Sequence, residues 1–483
     1  MSISPRKDHR AATLTLLHRI NEGLLSVVAA DGSLAATPPA EPRGARGATV
    51  QPEELWDYAV YASVLIGIAA LAYFQFHAIV PRVLAAAARR KDLELIAYGG
   101  ALWSGFGFLL IVVRTILWMM YRPLPTAEPG SAPRLTVIIP AYNEGAMVLK
   151  SIASVAEADY PRDRLEILVV DDGSRDDTWQ HILEAERRYP GRLTALRHEL
   201  NRGKREALAL GFARAGGDIL VTIDSDSVIE RGALLALAGP FRDPRVGAVA
   251  GKVLVYNRAR GVIPRMLHVR FILSFDMLRA AESVYRNVYC CPGALTAYRA
   301  AAVHGVLERW RNQVFLGSRC TFGEDRAMTN ELLDQGYDAL YQRTAVVHTV
   351  VPHAYGKLCK MLLRWNRSYV REELRFARIV WKRPWPTRVL ALFDRFITNA
   401  GFPVAYASTC VLPVVIARHP VIAAPVIVGV AAMSIFQVLY YLRAERSLDF
   451  VYGVLYAYFS SVALFWIFPY AIATVRARGW LTR

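Results

Sequence analysis

Long apolar stretches stand towards both ends of the chain and enclose a polar middle. The five apolar stretches run from Trp56 to Val80, Leu102 to Met120, Phe393 to Ile416, Val421 to Leu442 and Val451 to Val475. Each is close to the roughly 20 apolar residues that cross a bilayer. Few charges interrupt them, which argues against the alternative of buried core helices. The pattern predicts two membrane helices within 56–120, an interfacial segment at 373–392 and about three membrane helices within 393–475.

The polar middle, about 134–372, alternates short apolar runs with segments of helical period. Leu135 to Pro140, Leu165 to Val170 and Ile219 to Ile223 are continuous apolar runs. Such runs are typical of parallel strands that helices cover on both faces. The fold class predicted is therefore α/β, with a doubly wound sheet. Because such sheets bind ligands at the carboxyl ends of their strands, the polar residues after these runs are expected to share a pocket.

Composition and charge support a membrane protein over a nucleic-acid-binding one. The 483 residues are 54% hydrophobic and carry a formal charge of +17, and the mean hydropathy is +0.23. Basic residues are spread along the chain and often flank apolar segments, so lipid head groups and diphosphates are better acidic partners than nucleic acid. The five cysteines lack a pairing or zinc-binding spacing, which predicts reduced thiols. Residues 1–51 are expected to be disordered, and 476–483 to form a C-terminal tail.

Acidic and aromatic residues follow the three apolar runs directly. Tyr142 and Glu144 follow the first, Asp172 follows the second, and Asp224 and Asp226 follow the third. Carboxylates projecting from a rigid strand end can hold Mg²⁺ or Mn²⁺ against a phosphate. Asp172 could instead accept hydrogen bonds from a nucleoside, and Tyr142 could stack on its base. The alternatives are an ordinary strand end for Tyr142 and a helix start capped by Ser174 or Asp176 after Asp172.

Two predicted helix starts carry further charged groups. Asn201 to Arg205 opens a helix whose N–H groups, with the cation of Lys204, suit a diphosphate. A solvated basic turn is the alternative. Glu324 and Asp325 open a second helix, where a capped helix start is the alternative. Transfer to a hydroxyl group needs a carboxylate that takes the proton, and Asp325 is the best remaining candidate.

Arg364 and Trp365 lie in a segment of helical period, about Tyr355 to Ala377, before the third apolar stretch. Trp offers a flat face to a sugar ring, and Arg can bind a phosphate through two hydrogen bonds. An amphipathic helix on the membrane surface is the alternative. Gly293 lies in a segment of small residues where an acceptor could approach closely, although buried packing is an equally good explanation.

From Leu135 to Glu372 the chain resembles the processive family 2 glycosyltransferases, most closely the branch of hyaluronan, chitin and nodulation-type chitooligosaccharide synthases. The resemblance rests on the ordered motifs Asp171-Asp172-Gly173-Ser174, Asp224-Ser225-Asp226, Gly323-Glu324-Asp325 and Arg364-Trp365. It implies a GT-A type catalytic domain at 134–372. Two positions depart from the family: Met361 replaces the Gln of the Q-x-x-R-W motif, and Pro292-Gly293-Ala294 replaces Ser-Gly-Pro.

The resemblance also implies roles for individual residues. Tyr142 would lie near the uracil ring, and Asp172 and Lys204 would contact the uridine diphosphate. Asp224 and Asp226 would hold the divalent cation and the donor diphosphate. Asp325 would be the catalytic base. Arg364 would close over the diphosphate, while Trp365 would contact the acceptor. We add Glu144 to the donor side, and Glu324 and Gly293 to the acceptor side.

The implied function is that of a membrane-embedded inverting β-glycosyltransferase. The implied donor is UDP-N-acetylglucosamine and the cofactor is Mg²⁺ or Mn²⁺. The acceptor is a growing polysaccharide, hyaluronan- or chitin-like, which passes through the enzyme's own helices across the plasma membrane. Two alternatives stay open: a non-processive transferase that adds one sugar to a lipid or lipid-linked acceptor, and a catalytically silent membrane subunit.

We expect the polar middle to be cytosolic because activated sugars are made there. Positive charges oppose this, since Arg89, Arg90 and Lys91 would then lie in an external loop, against the positive-inside rule. Arg476, Arg478 and Arg483 raise the same objection at the C-terminus. Either one span is miscounted, or some of these residues lie in interfacial helices such as Arg82 to Ile96.

Overall fold

A computed structural model describes residues 54–81, 84–85, 91–418, 420 and 423–477. The segment expected to be disordered, 1–51, lies outside the described residues. Several arginines on which the orientation depends also lie outside them, namely Arg82, Arg89, Arg90, Arg478 and Arg483.

The polar middle folds around a mixed eight-stranded sheet with the order β3-β2-β1-β4-β7-β6-β10-β5. The strands are β1 Leu135–Ala141, β2 Leu165–Asp171, β3 Leu193–Arg197, β4 Ile219–Thr222, β5 Ser227–Ile229, β6 Val246–Val255, β7 Thr296–Arg299, β8 Val314–Phe315, β9 Ser318–Arg319 and β10 Asp338–Thr349. The three predicted strands are β1, β2 and β4, which are parallel neighbours. Strands β5 and β7 join the sheet in antiparallel orientation, while β8 and β9 form a separate hairpin.

Sixteen α-helices of the described part are numbered in chain order. They are α1 Leu55–Tyr73, α2 Lys91–Met120, α3 Met147–Ala156, α4 Thr178–Arg188, α5 Lys204–Arg214, α6 Ala233–Ala238, α7 Val262–Ile272, α8 Ala280–Val284, α9 Ala300–His304, α10 Leu307–Arg311, α11 Glu324–Asp334, α12 Tyr355–Ile379, α13 Trp385–Arg418, α14 Ala423–Ala444, α15 Val451–Ala463 and α16 Ile467–Ala473. A π-helical turn, Leu273–Arg279, joins α7 to α8.

The central strands are buried along their whole length. All seven residues of β1 are buried, and so are the four of β4. Their apolar, largely β-branched side chains suit a pleated surface that is covered on both faces. Gly211 of α5 lies against Ile138 of β1, where a Cβ atom would collide with the Ile138 side chain. This close approach brings Lys204, at the start of α5, to the carboxyl end of β1.

Four helices of the described part are long and apolar enough to cross a membrane: Leu55–His77, Tyr98–Met120, Trp385–Arg418 and Ile427–Ala444. Helices α15 and α16 form a fifth such span if their 50° bend is counted within one segment. The five apolar stretches of the sequence overlap these helices. Helix α12 ends at Ile379, and α13, which contains the third of these spans, begins at Trp385.

The apolar helices pack directly on the domain that contains the eight-stranded sheet. Helix α12 packs against α16, and α7 packs against α15. Within the group of apolar helices, Arg114 of α2 forms an ion pair of 2.7 Å with Asp394 of α13. Helix α7 therefore lies between β6 and the apolar helix α15, and α12 lies between α11 and the apolar helix α16.

Candidate active site

A cavity of about 470 Å³ lies at the carboxyl ends of the central parallel strands. One side, which we call the strand wall, consists of residues that follow β1, β2 and β4: Tyr142, Glu144, Asp172, Asp224 and Asp226. The opposite side, the helix wall, consists of residues on α12: Lys357, Met361 and Arg364. This is the position at which open α/β sheets bind ligands.

Hydrogen bonds fix the acids of the strand wall. The Ser225 hydroxyl donates to Glu144 Oε1 at 2.9 Å and so ties the end of β1 to the end of β4. The Thr349 hydroxyl of β10 donates to Asp226 Oδ1 at 3.3 Å. These bonds orient two carboxylates before any ligand arrives.

Asp172 is buried and organises the loop before α5. Its Oδ1 atom accepts a hydrogen bond from the Arg202 N–H at 3.0 Å and lies 2.8 Å from His198 Nδ1. Its Oδ2 atom accepts from the Gly203 N–H at 2.7 Å. Two of the N–H groups predicted for a diphosphate are thus bound to Asp172. His198 was missed because nothing in its spacing marks it.

Lys204 links the strand wall to the start of α11. Its Nζ atom contacts Asp224 Oδ1 and lies 3.1 Å from Glu324 Oε1. Burial alone would lower the pKa of Lys204, but the carboxylates of Asp224 and Glu324 raise it well above its usual value. Lys204 therefore stays charged between the two acids.

Glu324 and Asp325 are neighbours with opposite pKa shifts. Burial would raise the pKa of Glu324, but the adjacent Lys204 ammonium outweighs burial and lowers it to about 2. Burial raises the pKa of Asp325, and the negative charge of Glu324 raises it further. A carboxylate with a raised pKa is the better proton acceptor, which suits Asp325 to a general base.

Gly293 lies beside Asp325 and beside the ion pair of Lys204 and Asp224. Its N–H lies 3.4 Å from Asp325 Oδ2. A Cβ atom at this position would lie 2.8 Å from Lys204 Nζ and 3.3 Å from Asp224 Oδ1, so a larger residue would force the Lys204 side chain to shift. Gly293, Glu324 and Asp325 line a smaller cavity, and Lys204 lines both this cavity and the larger one.

The turn before Asp325 is packed against α12. Gly323 has the left-handed φ of +71°, and a Cβ atom there would collide with the Ser368 hydroxyl. Arg371 Nη2 donates to the Phe322 carbonyl at 2.6 Å. The sequence motifs did not mark Ser368 or Arg371 as functional, because their role depends on contacts between distant segments.

The two residues of the Arg-Trp motif face different surroundings. Arg364 lines the large cavity and, by its positive charge, helps to lower the pKa of Glu324. Trp365 is 38% exposed and lies outside the lining of both cavities. Its ring centre is 6.2 Å from that of Phe271. Met361 is buried in the helix wall at the place where the family resemblance implies Gln.

Asp224 and Asp226 are the residues best placed to hold a metal ion. Within the described ranges no group of three His, Cys, Asp or Glu side chains is arranged to hold one. Two carboxylates beside an open cavity fit Mg²⁺ or Mn²⁺, because such ions commonly take one or two carboxylates and complete their shell with water and substrate phosphates.

Comparison with known proteins agrees with this architecture. A family model described as glycosyl transferase family 2 matches residues 136–307. An N-acetylglucosaminyltransferase of Azorhizobium caulinodans is 31% identical over 355 residues, which are 73% of this chain and 87% of the relative. A hyaluronan synthase of Streptococcus pyogenes is 32% identical over 324 residues, which are 64% of this chain and 75% of the relative.

A solved structure extends the similarity to the fold. A mannosyltransferase of Pyrobaculum calidifontis, in complex with GDP-Man and Mn²⁺, has a TM-score of 0.54 at 22% identity. The match covers 74% of this chain and 99% of that one. The predicted α/β fold of GT-A type is confirmed. With its sequence relatives covered over most of their length, the chain belongs to glycosyl transferase family 2 and is a glycosyltransferase.

Proposed function

We propose that the protein is a membrane-embedded inverting β-glycosyltransferase that polymerises a sugar from UDP-N-acetylglucosamine. The observation that carries the proposal is the position of Lys204 between Asp224 of the strand wall and Glu324, next to Asp325. Lys204 thus connects Asp224, which we assign to the donor side, with the helix start that carries the candidate base Asp325. The similarity to an N-acetylglucosaminyltransferase and a hyaluronan synthase supports the choice of sugar and of polymer synthesis.

The donor would bind along the strand wall. Tyr142 and Asp172 would receive the nucleoside, since both line the large cavity where β1 and β2 end. Lys204 and Arg364 would approach the diphosphate from opposite sides, where two cations offset its negative charge. Glu144, held by Ser225, would complete the donor side.

A divalent cation, Mg²⁺ or Mn²⁺, would be held by Asp224 and Asp226. When bound, it supplies positive charge that stabilises the departing diphosphate. Asp224 contacts the Lys204 ammonium through Oδ1, and a carboxylate has a second oxygen with which it can bind a metal ion.

Transfer would proceed by a single displacement. The acceptor hydroxyl oxygen forms a bond to the anomeric carbon of the donor sugar while the bond from that carbon to UDP breaks. The hydroxyl proton passes to Asp325, and UDP leaves with the bonding electrons. Attack from the face opposite to UDP inverts the anomeric configuration. The raised pKa of Asp325 favours the proton transfer.

The acceptor would approach from α12. Trp365 would present its exposed ring to a sugar of the growing polysaccharide, while Glu324 and Gly293 would lie next to the reacting hydroxyl. The product would leave through the apolar helices, with the catalytic domain in the cytosol and the helices in the plasma membrane among its lipids. The packing of α12 on α16 supports a path from site to membrane.

The test uses the full chain purified in lipid nanodiscs, with individual UDP-sugars and Mn²⁺ or Mg²⁺. We expect UDP release with UDP-N-acetylglucosamine and a ladder of polymer that a β-linkage-specific hydrolase digests. A single lipid-linked sugar would instead favour the non-processive alternative. Absence of UDP release with every UDP-sugar would overturn the donor assignment.

A further inference from the structure

Arg326 follows the candidate base directly and is bonded to its carboxylate. The Arg326 N–H donates to Asp325 Oδ1 at 2.7 Å. The Arg326 guanidinium forms an ion pair with Glu373 on α12, in which Nη1 lies 3.1 Å from Oε1. It also lies over the ring of Tyr369, 5.0 Å from the ring centre. The first turn of α11 is thus tied to α12 one residue beyond the base.

Glu373 and Tyr369 also contact α13. Asn399 Nδ2 donates to Glu373 Oε2 at 2.9 Å, and Arg395 Nε lies 3.3 Å from the same oxygen. Arg395 Nη2 donates to the Tyr369 hydroxyl at 3.2 Å, and this hydroxyl donates to Asn399 Oδ1. The two residues of each helix are one turn apart and share a face. Arg326 is therefore connected with the apolar helix α13 through two residues of α12.

The charged groups of this connection are largely buried. The side chains of Glu373, Arg395 and Arg326 are 9%, 13% and 19% exposed. Separating one partner from a buried ion pair leaves the other charge without compensation, which costs much free energy. A displacement of α13 should therefore carry Glu373 and Arg326 with it rather than break the contacts.

A second polar link of α13 joins it to another apolar helix. Arg114 of α2 forms an ion pair with Asp394 and donates to the Thr398 hydroxyl at 2.8 Å. The link through Glu373 differs in its far end, because Arg326 is bonded to the carboxylate of Asp325.

We propose that Glu373 is a positioning residue for the transfer, and that through it the apolar helix α13 sets the orientation of Asp325. The inference rests on the proposed function, since it takes Asp325 as the base. Glu373 lies outside the lining of both cavities, so it acts through Arg326 and not on the substrates. A misplacement of about 1 Å can lower a rate about 100-fold, so a small shift of Arg326 is enough to slow proton transfer.

The alternative is a cluster that only fastens α13 to the domain. Loss of the link would then lower the thermal unfolding temperature and leave the turnover of the folded protein unchanged. A positioning role lowers kcat instead. Donor binding stays the same in that case, because the residues that we assign to the nucleotide lie on the strand wall.

The experiment measures kcat and KM for the donor by UDP release from the full chain in nanodiscs, with the UDP-sugar that the wild type uses fastest. The variants are Glu373→Gln, Asn399→Leu and the double variant. The matched control on α13 is Ser408→Ala, which removes a hydroxyl that donates to the Val404 carbonyl of the same helix. The thermal unfolding temperature and the dissociation constant of UDP are measured for each protein. Asn399→Leu keeps the carboxylate of Glu373, so it tests the inference by itself if Glu373→Gln fails to fold.

Glu373→Gln should lower kcat about 10- to 100-fold, the effect of losing a hydrogen bond between charged groups. Asn399→Leu should lower kcat about 3- to 10-fold, because the ion pair of Glu373 remains. The double variant should be at most about twofold slower than Glu373→Gln, since both changes break one connection. KM for the donor and the dissociation constant of UDP should stay unchanged, as expected when only the transition state is affected. Ser408→Ala should behave as the wild type.

Three results would overturn the inference. In the first, Asn399→Leu has the same kcat as Ser408→Ala. In the second, the effects of the two single changes multiply in the double variant. In the third, UDP binding weakens as much as kcat falls. Failure of the proposed function is a separate outcome, in which Asp325→Asn releases UDP as fast as the wild type. If Asp325→Asn is inactive and Asn399→Leu is unaffected, the base stands and only the inference fails.

Discussion

The strand wall and the helix wall of the large cavity are built in different ways. Asp224 and Asp226 follow β4 directly, so the ladder of the sheet fixes their backbone. Arg364 and Trp365 lie on α12, whose position depends on contacts with α11 and with the apolar helix α16. The strand wall is thus determined locally, whereas the helix wall depends on how the catalytic domain and the apolar helices pack. Changes in the membrane region should affect the second wall first.

The strongest test removes the carboxyl group of the candidate base, Asp325, which lines the smaller cavity beside Lys204. Asp325→Asn should lower transfer by about 100- to 10,000-fold, because an amide cannot accept the hydroxyl proton. Initial rates of polymer formation and UDP release measure the effect, and the thermal unfolding temperature serves as the control for folding. UDP release at the wild-type rate would support the silent-subunit alternative instead.

The next test concerns the metal on the strand wall. Asp226→Asn should raise the Mn²⁺ concentration needed for half-maximal activity by at least about 10- to 100-fold, since loss of even an outer-shell partner can cost that much. A metal titration of the initial rate measures it. Thr349→Val removes a hydroxyl that donates to Asp226 and accepts from Ser227, but it leaves both carboxylates in place and should have a smaller effect. Equal metal requirements for all three proteins would contradict the assignment of Asp226.

Gly293→Ala tests the close packing of Gly293 against Lys204, which contacts Asp224 of the strand wall. The added methyl would lie 2.8 Å from Lys204 Nζ, so the lysine must shift away from Asp224 or Glu324. We expect kcat/KM for the donor to fall about tenfold, as for a weakened charged hydrogen bond. Gly356→Ala is the matched control, because a Cβ atom there meets nothing within 4 Å. Unchanged kinetics in both variants would argue against this role of Lys204.

The pH profile tests the electrostatic part of the site. A base must be unprotonated to act, and the pKa of Asp325 is raised by burial and by Glu324. Activity should therefore be lost as the pH falls through a value above the usual range of aspartate. Glu324→Gln removes the like charge, so the acidic limb should move to lower pH, by about one unit. A limb that stays in place, or moves upward, would contradict the coupling.

The smallest effect is expected at the departure from the family motif. Met361→Gln places an amide in the helix wall where Met361 is now buried beside the cavity. We expect kcat to change by less than about fivefold, since an amide that finds a partner contributes only about 1 kcal/mol. Product length on a gel provides a second readout. A large gain in length would show that this position controls processive synthesis.

The sequence predicted what local rules determine. The buried runs 135–140, 165–170 and 219–223 specified neighbouring parallel strands, and the acids after them were correctly expected at one edge of the sheet. It did not predict that Trp365 would lie outside the cavity lining, because that depends on the rotation of α12 against α7. Nor did it predict the contacts of Asp172 with His198 or of Gly323 with Ser368. These contacts join segments that are distant in the sequence, and no sequence pattern indicates that the segments approach each other.

Gly323 packs tightly against Ser368, so the turn before Asp325 is in close contact with α12. If α12 tilts during the proposed synthesis, the turn and the candidate base Asp325 must move with it. A larger residue at position 323 would collide with Ser368 and push this turn away from α12. Any coupling between the position of α12 and that of Asp325 would thus depend on the single hydrogen atom that serves Gly323 as a side chain.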